Sequence, residues 1–324
     1  MKKKLLFMAT AALAISSCTM QEVDDVAATP REPIQFEQFI GKATRADDVT
    51  TATLTEFKVL GKKYSSNGQS ENIDITVTKS GSSWTCDPVM YWEEGAKYCF
   101  AATNYSTGVT FSGTETAYQL QSGDIDSRSG LNDIVAAICP SAIVGKATGN
   151  SPITLNFKHA MAKVQFTFVW EREVNSDSDS EVYMPTIENI ERKSAFTLSN
   201  KNSQATWQGT ATKDDNKFST SIDFKQKSES KTETVLVFPQ DDTNFTPKLK
   251  FEIHDNAVVG RTEKVECDLF TGGVTKWEAG KVYKYKITIG TFVQEKLEFN
   301  VTVSSWTENT ETDLGSGNIH FENN

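Results

Sequence analysis

Apolar and polar residues alternate with a period of two along most of this chain, which predicts strands rather than helices. The clearest run puts Ala162, Val164, Phe166, Phe168 and Trp170 on one face. Lys163, Gln165, Thr167 and Glu171 lie mostly on the other, a face expected to meet water as in an antiparallel sandwich. Leu249/Phe251/Ile253, Tyr283/Tyr285/Ile287/Ile289 and Leu297/Phe299/Val301/Val303 alternate in the same way. Further strands are predicted at 54–60, 73–78, 89–92, 97–102, 134–138, 186–190, 195–198, 218–224 and 234–238, with Gly, Asn, Ser and Asp clusters between them. No stretch sustains an apolar period of about 3.6 over a helix-length window. Strands and turns at this spacing predict an all-β chain built of sandwiches.

The chain has 324 residues, which suggests two domains. Residues 145–152, containing Ser and Gly, read as the linker, giving a first sandwich at 46–150 and a second at 151–306. In this division the 153–170 region opens the second sandwich. The halves echo each other: Trp92-Glu93-Glu94-Gly95-Ala96-Lys97-Tyr98 resembles Trp277-Glu278-Ala279-Gly280-Lys281-Val282-Tyr283. Both read as an aromatic strand end, a glycine turn and a returning aromatic strand. Ahead of the first body, Ile34 and Phe36 form a short strand, followed by Phe39 and Ile40.

The N-terminus carries an export signal. Lys2, Lys3 and Lys4 precede an apolar run at 5–15, and Ser16-Ser17 stand directly before Cys18. This is the layout of a signal peptide at 1–17 with a lipidated Cys18, a route to the outer membrane through the lipid. The apolar run is too short to span a bilayer core of roughly 30 Å. Residues 19–33 are polar and read as a flexible tether, so that 18–45 comprises this tether and the short strand that follows it.

Net charge is −10, with 33 basic against 43 acidic residues, so a nucleic-acid partner is disfavoured. Cys86, Cys99, Cys139 and Cys267 match no zinc spacing and leave two alternatives open: a bridge such as Cys86–Cys99, or buried free thiols. His159, His254 and His320 lie in no metal or nucleophile motif, and His159 reads as a structural residue with a satisfied ring. Asn175, Asp177, Asp179 and Glu181 alternate like the start of a calcium loop but lack its glycine and closing glutamate, and read as a solvated loop. No catalytic constellation, metal site or cofactor motif is present, so the chain is expected not to be an enzyme. Six Trp and eight Tyr would suit a carbohydrate platform only if several were exposed together.

Several separated motifs, in order, resemble the fimbrillin family of pilins and accessory subunits made as lipoprotein precursors. They are Cys18 in its lipobox, Ile34-x-Phe36 followed by Thr44-Arg45-Ala46, Trp92…Gly95…Tyr98-x-Phe100-Ala101, and Leu131-Asn132-Asp133-Ile134-Val135-Ala136. Leu155-x-Phe157-x-His159-Ala160-x-Ala162-x-Val164, Trp277-x-x-Gly280-Lys281-x-Tyr283-x-Tyr285 and a late Val303-Ser304-Ser305-Trp306 complete the set. The acidic stretch after Cys18 resembles the surface-export signal of Bacteroidetes lipoproteins.

The resemblance implies two transthyretin-like antiparallel β-sandwiches in tandem, joined to other fimbrial subunits by strand exchange. It implies an Arg-specific maturation protease cutting between Arg45 and Ala46, in the polar segment 41–48. The displaced strand would carry Ile34, Phe36, Phe39 and Ile40. Donor candidates are Leu297, Phe299, Val301 and Val303, or Ile319 and Phe321 in the tail 307–324, with that tail otherwise a frayed end. The competing expectation is a glycan-binding surface lipoprotein that stays anchored by Cys18 and is never cleaved.

Overall fold

The computed structural model describes residues 31–40, 48–174, 180–243, 246–255, 261–290, 297–306 and 311–321. Among them there is no α-helix, and the chain forms several β-sheets. The first sheet runs, strand by neighbouring strand, through Phe36–Ile40, Ile153–His159, Val135–Ile138, Lys97–Thr103, Glu56–Tyr64, Ser70–Ser80 and Ser83–Asp87. Strand Ile153–His159 shows why such segments fold this way: its residues are alternately buried and exposed from end to end. The sheet curves around one core, so that Phe57 meets Phe157 at 5.2 Å and Phe36 meets Phe100 at 5.3 Å.

Two further sheets enclose the second core. One runs Glu229–Val237, Ala162–Trp170, Lys281–Ile289, Leu297–Ser305 and Glu311–Ser316. The other runs Lys213–Lys217, Ser180–Glu191, Lys248–Asp255, Arg261–Asp268 and Ile319–Phe321. Their inner faces touch through Phe168 and Phe251, 5.5 Å apart and edge to face. Two pairings are parallel, Phe36–Ile40 with Ile153–His159 and Ala162–Trp170 with Lys281–Ile289, where a wholly antiparallel arrangement was expected. Each joins segments more than a hundred residues apart, a relation that local alternation does not encode.

The expected boundary at 150/151 is corrected by the pairing. Ile153–His159 belongs to the first sheet, and only after Ala160 and Met161 does Ala162–Trp170 enter the second. The halves also share a sheet. Hairpin Lys193–Ser199/Asn202–Gly209 from the second half pairs with Tyr118–Gln121 and, beyond it, Thr110–Gly113 from the first. Beneath this seam lies a third core holding Leu60, Ala101, Met161, Phe196, Val282 and Trp306.

Cys86, Cys99, Cys139 and Cys267 are free thiols, which sets aside the Cys86–Cys99 bridge. Cys86 lies beside the Ile34 carbonyl while Cys99 lies beside that of Glu115. Burial pushes the Cys99 thiol up to about 11 and Cys139 up to about 12, so neither is a nucleophile near neutral pH.

The repeated sequence motif builds the same corner twice. The Glu93 N–H donates to the Tyr98 hydroxyl at 2.9 Å, and the Glu278 N–H donates to that of Tyr283 at 2.8 Å. Gly95 and Gly280 turn the chain at φ 76° and 73°, a conformation that disfavours other residues. Both tyrosines are buried. Replacing Tyr98 or Tyr283 by Phe removes one acceptor from a backbone donor and is expected to lower stability by about 1–3 kcal/mol. Chemical denaturation of each variant measures this, and unchanged stability in both would contradict the shared role.

Candidate functional site

The segment that the resemblance implies as a displaced strand sits between the edge of strand Ile153–His159 and the chain at 90–92. Residues 32–34 run antiparallel to 90–92: the Ile34 N–H donates to the Met90 carbonyl at 2.8 Å and the Trp92 N–H to that of Glu32 at 2.9 Å. Phe36–Ile40 then runs parallel to Ile153–His159, with Phe36 opposite Ile153 and Ile40 opposite Phe157. The Ile153 N–H donates to the Gln35 carbonyl at 2.8 Å. One short segment therefore satisfies backbone groups on both sides of the opening. Asn150 adds a clamp, donating from its backbone N–H at 3.0 Å and its side-chain amide at 2.8 Å to the Glu32 carboxylate. These bonds hold the Glu32 carboxyl below its usual range.

Ile34, Phe36 and Ile40 are buried in the first core. Phe39 is not: it is 60% exposed. Ile34, Phe36, Gln38 and Ile40 form the inward set, and Phe39 falls on the other face of the pleat. Burial of the three apolar side chains contributes roughly 5–9 kcal/mol before ordering costs. Gln38 completes the inward row by donating to the Thr51 carbonyl at 3.0 Å.

Arg45, Ala46 and Cys18 lie outside the described residues. The nearest described residues before and after Arg45, Ile40 and Asp48, are each fastened. The Ile40 N–H donates to the Thr51 hydroxyl at 3.0 Å, and that hydroxyl donates back to the Ile40 carbonyl at 3.0 Å. Asp48 pairs with Lys163, and both are buried. Next to them the Val49 N–H donates to Asp133 at 2.9 Å, and the other oxygen of that carboxylate meets His159 Nδ1 at 3.0 Å. Trp306 holds the group together: the His159 ring stacks on it at 4.2 Å, and the Lys163 ammonium lies 4.1 Å from its ring centre.

This polar cluster corrects two expectations. Lys163 and Gln165 were assigned to a face that meets water, yet both are buried, Lys163 because Asp48 and Trp306 close over it. His159 is structural, but its ring is satisfied only at Nδ1; Nε2 is buried without a hydrogen-bond partner among the described residues. The oxygen-rich 175–179 segment lies outside the described residues, while Glu181 bonds to His254 Nδ1 at 2.8 Å. Among the described residues no group of three or more His, Cys, Asp or Glu side chains is placed to hold a metal ion.

The C-terminal tail occupies two other edges. Glu311–Ser316 pairs antiparallel with Leu297–Ser305, and Ile319–Phe321 pairs antiparallel with Arg261–Asp268 in the facing sheet. Between them the Gly317 N–H donates to the Phe299 carbonyl at 2.8 Å. Leu297–Ser305 itself is an interior strand, paired on both sides, with Phe299 and Val301 in the second core and Leu297 and Val303 packed against it. Detaching it would open that core.

A family model described as fimbrillin-like matches residues 44–306. The chain belongs to the fimbrillin-like family. Solved structures with the same overall fold include a fimbrial protein from Bacteroides vulgatus, at 15% identity and a TM-score of 0.57, covering 85% of this chain and 99% of that one. Candidate cell adhesion proteins from Bacteroides uniformis and Bacteroides ovatus align at TM-scores of 0.53 and 0.52, each at 16% identity over 86% of this chain and 99% of theirs. No curated protein matches. The fimbrillin-like family is structural rather than enzymatic, which agrees with a chain in which the features of note are strand edges.

In this fimbrillin-like chain the match begins at Thr44 and ends at Trp306, so it stops short of both the 32–40 strand and the 311–321 tail. Asp48, Asp133, His159, Lys163 and Trp306 all lie within it. Replacing Lys163 by Met leaves the Asp48 carboxylate without its buried cation and is expected to cost about 3–5 kcal/mol. Equilibrium denaturation checks this; a loss below about 1 kcal/mol, the scale of an exposed pair, would contradict the structural role given to the cluster.

Proposed function

We propose that this chain is a fimbrial subunit of the cell surface, exported as a lipoprotein through Cys18, cleaved between Arg45 and Ala46 and assembled with other subunits by donor-strand exchange. Its body would be two transthyretin-like sandwiches in tandem. The observation that carries the reading is the placement of residues 32–40. They lie between the edge of Ile153–His159 and the chain at 90–92, yet they reach the rest of the chain through the segment that contains Arg45.

Cleavage there separates the closing strand from the body covalently. Asp48 and Thr51 stay with the body, where the Lys163 pair and the turn around Thr50 to Thr53 secure the new end. Loss of residues 32–40 exposes the edge of Ile153–His159, the 90–92 edge and the apolar slots of Ile34, Phe36 and Ile40. An open edge beside apolar slots recruits an extended strand that supplies backbone partners and alternate side chains.

The donor is assigned to the tail 311–321 rather than to 297–303. The tail pairs only at sheet edges, so it can leave its own body without dismantling a core, whereas Leu297–Ser305 cannot. The anchored glycan-capture alternative called for several Trp or Tyr exposed on one platform. Among the described residues Tyr91 is the one Trp or Tyr that is mainly exposed, which favours the assembly reading.

Limited digestion of the precursor with an Arg-specific protease tests this. The expected product begins at Ala46 and forms ladders in cold detergent that vanish when residues 307–324 are deleted. A clean cut without ladders assigns the chain to a tip or accessory position. An intact folded body with no cut at Arg45 overturns the maturation scheme.

A further inference from the structure

Residues 32–40 are not held evenly along their length. At 32–35 the backbone bonds on both flanks. On one flank the Trp92 N–H donates to the Glu32 carbonyl at 2.9 Å and the Ile34 N–H to that of Met90 at 2.8 Å. On the other the Ile153 N–H donates to the Gln35 carbonyl at 2.8 Å. Asn150 then grips the Glu32 carboxylate through its backbone N–H at 3.0 Å and its side-chain amide at 2.8 Å. Hydrogen bonds to an ionised acceptor are stronger than neutral ones. Ile34, 2% exposed, is sealed into the core between these contacts.

Over 36–40 the support is lopsided. Among the described residues the backbone pairs there with one strand, Ile153–His159. The opposite flank rests on Thr51, an exposed turn residue that bonds Ile40 through its hydroxyl and Gln38 through its carbonyl. This weaker end is the one next to Arg45 in sequence, and the doubly bonded end is remote from it. We propose that residues 32–35 are a latch that keeps the segment on the body after the chain is cut at Arg45, so that cleavage and release are separate steps. This rests on the maturation scheme proposed above and adds the order of its events.

A cut after Arg45 frees the 36–40 end to fray, because local opening starts where the fewest bonds must break. The bonds at 32–35 involve nothing near the cut. An incoming strand therefore gains its first purchase at the Phe157 edge and the slot of Ile40, and reaches the slot of Ile34 last. Asn150 is preset for its part. Its side-chain oxygen accepts the Lys146 N–H at 3.0 Å and its amide also donates to the Lys146 carbonyl at 2.9 Å, so its own loop orients it toward Glu32. Cys18 and the acidic stretch precede residue 32, on the latched side. The cut body thus stays joined to its lipidated end until a partner strand arrives, and loss of the anchor is tied to assembly.

The full chain, cut to completion at Arg45 by an Arg-specific protease, is followed by native mass spectrometry and amide hydrogen exchange. The segment ending at Arg45 is expected to remain bound to the body. The Ile40 amide, bonded to Thr51, is expected to lose protection on cutting while the Trp92 amide, bonded to Glu32, keeps it. Glu32→Ala is expected to speed loss of the cut segment about fivefold or more. Glu32 departs with the segment, so the body left behind is identical in both proteins. Prompt loss of the segment on cutting overturns the latch alone. So does loss of protection at both amides together, loss at Trp92 first, or a release rate that Glu32→Ala leaves unchanged. Failure to cut at Arg45 overturns the maturation scheme and the latch with it.

Discussion

A β-sheet that ends in an unpaired strand presents a row of N–H and C=O groups that water or another strand must satisfy. In this chain the two termini take on that task. Residues 32–40 bond to 90–92 on one side and to Ile153–His159 on the other. The tail pairs first with Leu297–Ser305 and then with Arg261–Asp268. The interior of each half is held by large apolar cores, and its edges are completed by residues 32–40 and by the tail. That division of labour underlies the exchange proposed above.

The buried polar cluster fastens residues 48 and 49 to the rest of the body. Isolated charges are costly to bury, so Asp48 and Lys163 are stable inside only as a pair, with Trp306 over the ammonium. Asp133 serves both the Val49 N–H and the His159 ring, so residues 48 and 49 are tied to strands from both halves. Trp306 is the last residue of the family match and stands just before the tail. The cluster thus ties together both borders of the body, beside the two segments proposed to exchange. The shared sheet at 193–209 adds a second connection between halves.

Much of the fold was legible in the sequence because alternation reports a half-buried strand directly. The 162–170 face and the paired Trp-Glu…Gly…Tyr corners follow from local pattern. What local pattern does not encode is which distant edge a strand joins. Hence the parallel pairings and the membership of Ile153–His159 in the first sheet were not foreseen. Lys163 was placed in water by its polarity; only Asp48, 115 residues away, explains its burial. Phe39 was grouped with its apolar neighbours although the pleat that buries Phe36 and Ile40 turns it outward.

The claim on which the account rests is that residues 32–40 are a replaceable cover for an edge. Amide hydrogen exchange at Trp92 and Ile153, whose N–H groups donate to Glu32 and Gln35, measures this directly. Both amides are expected to be protected in the precursor, to exchange fast once the protein is cut after Arg45 and the segment removed, and to regain protection in assembled ladders. Protection that persists at both amides after the segment has left, with the body still monomeric, would contradict it.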